Sequence, residues 1–183
     1  MSTIFCTATT LDGFIADPEH RLDWLLRQDI DEDGPLNHGA FMDGVGALAM
    51  GSATYEWLLR HVVGAGEPWP YALPTWVLTS RELAEVPGAD VRFARGDVRV
   101  VHEDAVGAAG ERDVWVVGGG DLAGQFADAG LLDEVIVSIA PITLGAGAPL
   151  LPRRLDLRLL EADRNRAFVV ARYAVDGVLL EDR

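Results

Sequence analysis

Alternating strand and helix patterns of apolar residues run through the first two thirds of the chain. Residues 3–10 alternate between apolar and polar and are rich in β-branched side chains, which predicts a first strand. Short apolar runs predict three more strands, at 47–50, 75–78 and 91–93. Apolar residues at helical spacing predict an amphipathic helix, at Tyr55, Leu58, Leu59, Val62 and Val63. Two further helices are predicted, over about 33–44 and 97–109.

A glycine turn separates a predicted strand from a predicted helix near residue 119. Val114–Val117 is an apolar strand pattern, Gly118-Gly119-Gly120 follows, and the helical spacing then begins at Leu122. Glycines allow close approach of a ligand to the backbone, and a helix start offers unpaired N–H groups and a positive dipole end. This geometry suits a phosphate. The alternative is a tight turn between two packed elements.

A second turn of this kind lies at Gly51–Thr54, between the 47–50 strand and the next helix. Ser52 or Thr54 either caps that helix or binds an anion. A Rossmann fold is disfavoured, because the spacing of Gly118, Gly120 and Gly124 is one residue too long and the motif comes late in the chain.

The last third of the chain contains strand patterns only. Strands are predicted at 135–142, 155–162, 167–174 and 178–180, and the segment 144–152 is predicted to be a loop. The change from βα alternation to strands alone predicts an α/β fold with a mixed, mostly parallel sheet that ends in antiparallel strands. The length of 183 residues suits one domain, residues 1–183.

Charge and composition narrow the range of ligands. The formal net charge is −14, which argues against binding to nucleic acid or to an anionic membrane surface. The sequence contains no lysine, so a Schiff-base or P-loop lysine is excluded. No histidine pair has metal-ligand spacing, and no metal site is predicted. The lone Cys6 and the absence of a signal-peptide pattern predict a cytoplasmic location.

Five short motifs, in order, resemble the dihydrofolate reductase superfamily, and within it the reductase domain of bacterial riboflavin biosynthesis. They are Ala8–Ala16, Met50–Glu56 (similar to M-G-R-x-T-[WY]-E), Leu78–Arg81, Val116–Gly120 and Ala140–Gly145. The last of these resembles the A-P-x-x-L-G segment of the riboflavin branch more than true folate reductases. The resemblance covers nearly the whole chain and implies the three-layer dihydrofolate reductase-like fold.

The resemblance also implies NADPH as cofactor and a small heterocyclic molecule as substrate. The cofactor-binding residues that it implies are Ala8, Ile15, Gly51, Ser52, Thr54, Thr79, Ser80, Arg81, Val117, Gly118, Gly119, Gly120, Asp121 and Leu122. The implied substrate-binding residues are Trp24, Tyr55, Leu144 and Gly145. Asp23 is the candidate catalytic acid if it is buried, and otherwise a surface residue. Asp12 is a turn residue first and a catalytic candidate second.

Several alternatives remain open. The substrate most like the family's is a ribosylamino or ribitylamino uracil phosphate, and the alternatives are a pterin, dihydrofolate or another carbonyl compound. A non-catalytic module that binds a nucleotide or flavin is the other class of function. Ser52 stands where the family motif often has arginine, which leaves Arg81 as the main cation for the 2′-phosphate. The many apolar residues of the C-terminal strands predict a homodimer.

Overall fold

A computed structural model describes residues 1–179 and contains one large sheet and one two-stranded ribbon. The strands are β1 (Thr3–Thr10), β2 (Phe14–Ala16), β3 (Val45–Gly51), β4 (Thr75–Leu78), β5 (Val91–Ala94), β6 (Asp113–Gly118), β7 (Glu134–Ala140), β8 (Ala148–Pro149), β9 (Leu155–Asn165) and β10 (Phe168–Val178). The helices are α1 (Asp23–Leu26), α2 (His38–Asp43), α3 (Ser52–His61), α4 (Val98–Ala109) and α5 (Gly120–Asp128), with a 3-10 turn at Val63–Ala65.

The large sheet has the strand order β5-β4-β3-β6-β1-β7-β10-β9. The first six of these strands pair in parallel, and β10 pairs antiparallel with both β7 and β9. The prediction of a mixed, mostly parallel sheet with antiparallel C-terminal strands is therefore confirmed. Strand β1 lies near the centre of the sheet, between β6 and β7, and its edge toward β7 is paired from Ile4 to Thr10.

Helices cover both faces of this sheet, which gives the predicted three layers. On one face, Phe126 of α5 and Val101 of α4 pack against residues such as Phe5 and Val114. On the other face, Tyr55 and Leu58 of α3 pack against Leu48 and Trp115. Each large apolar side chain that is fully buried in such a core contributes roughly 1.5–3 kcal/mol of transfer free energy.

The structure differs from the predicted elements in three places. Helix α2 begins only at His38, because Gly34 and Pro35 interrupt the pattern and the side chain of Asn37 caps the helix by accepting from Ala40 N at 2.8 Å. The two turn segments around Phe14 and Pro149 pair with each other as the β2–β8 ribbon. The predicted last strand is the end of β10, and its residue Leu180 lies outside the described residues, as do 181–183. Within residues 1–179, no helix is long and apolar enough to cross a membrane.

Asn165 fixes the segment that leads into α2. Its side chain is 1% exposed. Its Oδ1 accepts from Asp31 N at 2.9 Å, and its Nδ2 donates to the carbonyl oxygens of Asp31 at 3.0 Å and Pro35 at 3.3 Å. One side chain at the end of β9 therefore holds the 31–35 segment against the sheet.

We expect Asn165→Ala to lower the free energy of unfolding by about 2–3 kcal/mol, because it leaves buried backbone groups without partners. Urea denaturation measures the change. Glu103→Ala is the control, since Glu103 is an exposed residue of α4, away from β9, and it should change stability by less than about 0.5 kcal/mol. Equal losses in the two variants would contradict the anchoring role of Asn165.

Candidate active site

Strands β1 and β6 cease to pair toward the carboxyl end of the sheet, and the region between their carboxyl ends is called the cleft below. Strand β1 pairs with β6 only from Thr3 to Phe5, whereas its pairing with β7 continues to Thr10. From Cys6 onward, β1 has no partner in β6. At the point of divergence, Trp115 Nε1 donates a hydrogen bond to the Cys6 carbonyl oxygen at 3.0 Å. Ligands of open α/β sheets bind outside the carboxyl ends of the strands, so this cleft is the candidate site.

The glycine turn and the Gly51 turn meet at the rim of this cleft. A β-carbon placed on Gly118 would lie 3.5 Å from Thr54 Oγ1, and one placed on Gly119 would lie 3.8 Å from Ile15 Cδ1. A β-carbon on Gly51 would lie 3.7 Å from the Gly118 carbonyl oxygen. The Gly118–Gly119 peptide bond is cis. The structure thus brings together five of the residues that the resemblance implied for a cofactor.

Two helices begin at this rim without a side-chain cap. Helix α3 starts after Gly51 and α5 starts after Gly119, and neither start has a hydrogen bond from a capping side chain. Capping by Ser52 or Thr54, the alternative raised by the sequence, is therefore not what the structure shows. The first N–H groups of both helices lack side-chain acceptors, and each helix start attracts an anion.

The third glycine of the turn has a different role. A β-carbon on Gly120 would lie 2.2 Å from the Leu150 carbonyl oxygen and 2.3 Å from that of Pro149. The close approach of the Pro149 and Leu150 backbone therefore requires glycine at position 120. Gly120 is also the first residue of α5, so a cofactor contact through its backbone N–H stays a prediction.

The two residues after Gly120 also contribute little to a ligand surface. The Leu122 side chain is 6% exposed and packs in the core below α5, so only its backbone remains available. Asp121 is exposed and accepts hydrogen bonds from Gln125 Nε2 at 3.0 Å and Arg153 Nη2 at 3.2 Å. Its carboxylate repels an anion, and Arg153 offsets part of that charge.

Arg81 lies after the carboxyl end of β4, as the sequence indicated, but it has a partner there. Its guanidinium makes two hydrogen bonds to the Glu56 carboxylate, at 3.0 and 2.6 Å. The neighbouring Thr79 hydroxyl accepts from Arg81 N at 3.0 Å, and Ser80 is exposed. A phosphate at this position competes with Glu56 for Arg81.

Three residues implied for substrate binding or catalysis have other surroundings. Trp24 is 5% exposed and packs against Ala140 and Phe168, so it presents no free ring face. Tyr55 is fully buried, and its hydroxyl donates to the Ala84 carbonyl oxygen at 2.6 Å. Asp23 is exposed on α1, which removes the burial on which its catalytic role depended.

Asp12 joins the first turn to the loop after β7. Its carboxylate accepts from Thr10 Oγ1 at 2.5 Å, from Gly145 N at 2.7 Å and from Leu144 N at 3.1 Å. The Thr10 hydrogen bond, helped by these backbone donors, lowers the pKa of Asp12. Leu144 packs at the edge of the Trp24 cluster, which also includes Ala8. Leu144 and Gly145 thus lie beside the cleft, held there by a turn residue.

Aromatic side chains that the sequence did not single out surround Trp115. The ring centroids of His38, Phe41 and Tyr71 lie 5.2, 5.6 and 5.6 Å from that of Trp115. Burial raises the pKa of Tyr71 to about 12 and lowers the pKa of His38. Tyr71 lies in a proline-rich loop, and His38 and Phe41 lie in a short helix. Neither segment has a periodic apolar pattern, so only the tertiary structure reveals the cluster.

Cys6 is not a nucleophile at this cleft. Burial raises the pKa of its thiol to about 12, so the thiol stays protonated at neutral pH. Among residues 1–179, no group of three or more histidine, cysteine, aspartate or glutamate side chains has the arrangement of a metal site. The groups that adjoin the cleft are backbone groups, aromatic rings and a few hydrogen-bonding side chains.

Known proteins share this fold. A candidate riboflavin biosynthesis protein from Shewanella sp. PV-4 superposes with a TM-score of 0.79 at 28% identity, over 96% of this chain and 99% of that chain. The dihydrofolate reductase of Enterococcus faecalis, solved with NADP(H), has a TM-score of 0.58 at 18% identity, over 96% of this chain and 97% of that chain. The predicted dihydrofolate reductase-like fold is confirmed.

Sequence comparison gives the family. The uncharacterized protein YwjB of Bacillus subtilis (strain 168) is 27% identical over 148 residues, which is 81% of each chain. The model of the RibD C-terminal domain family matches residues 71–168, more than half of this chain. The resemblance inferred from the five motifs is confirmed, and the chain belongs to the RibD C-terminal domain family.

Proposed function

We propose that this protein is an NADPH-dependent reductase that transfers a hydride to a C=N or C=O bond of a small heterocycle. The observation that carries the proposal is the rim of the β1–β6 cleft. Two uncapped helix starts and the close-packed backbone of Gly51, Gly118 and Gly119 converge there. Such a rim suits the diphosphate of a dinucleotide, because backbone N–H groups bind phosphate without a lysine.

The remaining part of the cleft suits the nicotinamide and the substrate. NADPH, when bound, supplies the hydride, and the protein holds both reactants in place. In this proposal the nicotinamide lies between β1 and β6, with Ala8 and Ile15 on one side and Gly118 on the other. The ring to be reduced then lies toward the aromatic cluster around Trp115. Because Asp23 is exposed, we do not assign the proton donor to it.

The substrate that family membership favours is the uracil of riboflavin biosynthesis, with a ribosylamino side chain and a phosphate. A pterin or dihydrofolate is the alternative within the same chemistry.

Oxidation of NADPH, followed at 340 nm with each compound, tests catalysis. Tight binding of NADPH without turnover of any compound would instead support the non-catalytic nucleotide-binding module.

The glycine turn provides a matched pair of variants. We expect Gly119→Ala to keep the stability within about 0.5 kcal/mol, because φ is −82° and the nearest atom to the new carbon is 3.8 Å away. The same variant should lose about tenfold in NADPH affinity, since the methyl group stands where the phosphate approaches. Isothermal titration calorimetry and urea denaturation measure the two effects.

Gly120→Ala should behave in the opposite way. Its new carbon would overlap the carbonyl oxygens of Pro149 and Leu150, and overpacking of this kind costs roughly 1–3 kcal/mol of stability. An unchanged NADPH affinity in Gly119→Ala, with its stability preserved, would contradict the location of the phosphate site.

The preference for NADPH over NADH should depend on the Arg81–Glu56 pair. A charge-assisted hydrogen bond to the 2′-phosphate is worth roughly 1.5–3 kcal/mol, so Arg81→Ala should weaken NADPH binding about 10- to 150-fold and leave NADH binding nearly unchanged. Glu56→Gln should strengthen NADPH binding, because it removes the carboxylate that competes for Arg81. Titration of both cofactors into each variant measures this. Equal affinities for the two cofactors in the wild type would refute the assignment.

We further propose that the protein is a homodimer joined through β9. In the described part of the chain, β9 ends the sheet and carries the exposed side chains of Leu157, Leu159 and Leu160. A β-bulge at Leu160 interrupts the pairing of β9 with β10, so the three exposed leucines, rather than a continuous strand edge, are the proposed contact between the two copies.

Sedimentation velocity at micromolar concentration tests the dimer. We expect the wild type to sediment as a dimer and Leu159→Asp to sediment as a monomer, because the change places a charge in an apolar contact. Val100→Asp is the matched control, since Val100 is 62% exposed on α4 on another part of the surface, and it should remain dimeric. A monomeric wild type would end the proposal.

A further inference from the structure

His38 and Tyr71 contact the same tryptophan beside the cleft. Both rings pack edge-on against Trp115, with centroid distances of 5.2 and 5.6 Å. Trp115 in turn donates to the Cys6 carbonyl oxygen, where β1 and β6 separate. The two polar rings therefore contact the residue that marks the point of strand separation.

Neither polar ring uses its hydrogen-bonding capacity within the protein. Among residues 1–179, the His38 ring makes only the contacts with Phe41 and Trp115, and the Tyr71 hydroxyl has no hydrogen bond. Tyr71 is half-buried, and His38 is exposed. Both groups are available to a ligand.

Their protonation states determine what they recognise. Burial lowers the pKa of His38, so at pH 7 the imidazole is mostly neutral and offers one N–H donor and one acceptor. Burial raises the pKa of Tyr71 to about 12, so the phenol stays protonated and donates. A neutral acceptor and a neutral donor match the edge of a cyclic amide, which presents a ring N–H beside a carbonyl oxygen.

We propose that His38 and Tyr71 bind the cyclic amide edge of an uncharged planar heterocycle, with the His38 nitrogen accepting from the ring N–H and the Tyr71 hydroxyl donating to the carbonyl oxygen. This inference rests on the proposed function, because it assigns the ring-recognition residues of the same cleft. The ligand class inferred here includes uracils and pterins, and it excludes carbonyl compounds without an adjacent N–H. Trp115 supplies the apolar surface next to the ring.

The test compares lumazine, which has cyclic amide N–H groups, with 1,3-dimethyllumazine, in which methyl groups block them. The protein has four histidines, so proton NMR of the imidazole rings resolves each one, with histidine-to-glutamine variants for assignment. In the presence of NADP⁺, lumazine should shift the His38 signal. The dimethyl compound should bind more weakly and shift it less.

Variants provide the second measurement. His38→Gln and Tyr71→Phe should each weaken lumazine binding about fivefold, the value of one neutral hydrogen bond, and should not alter NADPH binding. His61→Gln is the matched control, because His61 also stacks on a tryptophan, Trp57, at 4.9 Å, but lies at the far end of α3. It should bind lumazine like the wild type.

Each outcome has a distinct meaning. If the wild type binds NADPH but lumazine does not bind, or binds without affecting His38, the ring-recognition inference is wrong and the reductase proposal stands. Equal affinity for lumazine and its dimethyl analogue also overturns the inference. If the wild type does not bind NADPH, the proposed function itself fails, whatever the His38 signals show.

Discussion

The divergence of β1 from β6 after Phe5 is the constraint on which the rest of the site depends. The last pair between these strands is Phe5 with Val116, β6 ends soon afterwards at Gly118, and β1 continues alongside β7 to Thr10. The hydrogen bond from Trp115 to the Cys6 carbonyl oxygen satisfies a backbone group that loses its partner strand at this point. The indole thereby stabilises the backbone where the two strands separate. The glycine rim, the aromatic cluster and the two helix starts all adjoin the gap that results.

Electrostatics at the site reflect a chain that has 29 acidic residues, 15 basic residues and no lysine. Several arginines are held in pairs with carboxylates, among them Arg81 with Glu56 and Arg153 with Asp121 and Asp128. These surface pairs add little to stability, but each reduces the positive charge available to a ligand. Attraction for phosphate therefore comes mainly from backbone dipoles, which acidic neighbours on the surface cannot neutralise by forming ion pairs.

Much of the fold could be predicted from the sequence, because the signals are local. The glycine turn, the alternation of β1 and the helical spacing of α3 each lie within one short segment. The cleft could not be predicted, because Trp115 and Cys6 are 109 positions apart and nothing in either segment shows that their strands separate. The family layout predicts that Tyr55 and Trp24 flank the substrate. The direction of each ring is decided by tertiary contacts instead: a hydrogen bond to the Ala84 carbonyl oxygen for Tyr55, and packing against Phe168 for Trp24.

The β2–β8 ribbon joins two loops that are far apart in the sequence into one structural unit. Asp12 holds Leu144 and Gly145, the backbone at Gly147 comes close to the Ala16 carbonyl oxygen, and the backbone at Gly120 comes close to that of Leu150. A change in the length of either loop would therefore disturb the other loop and the glycine turn together. Loops exchanged between homologues to alter specificity would have to be transplanted as a matched pair, and natural variation at these two segments should be correlated.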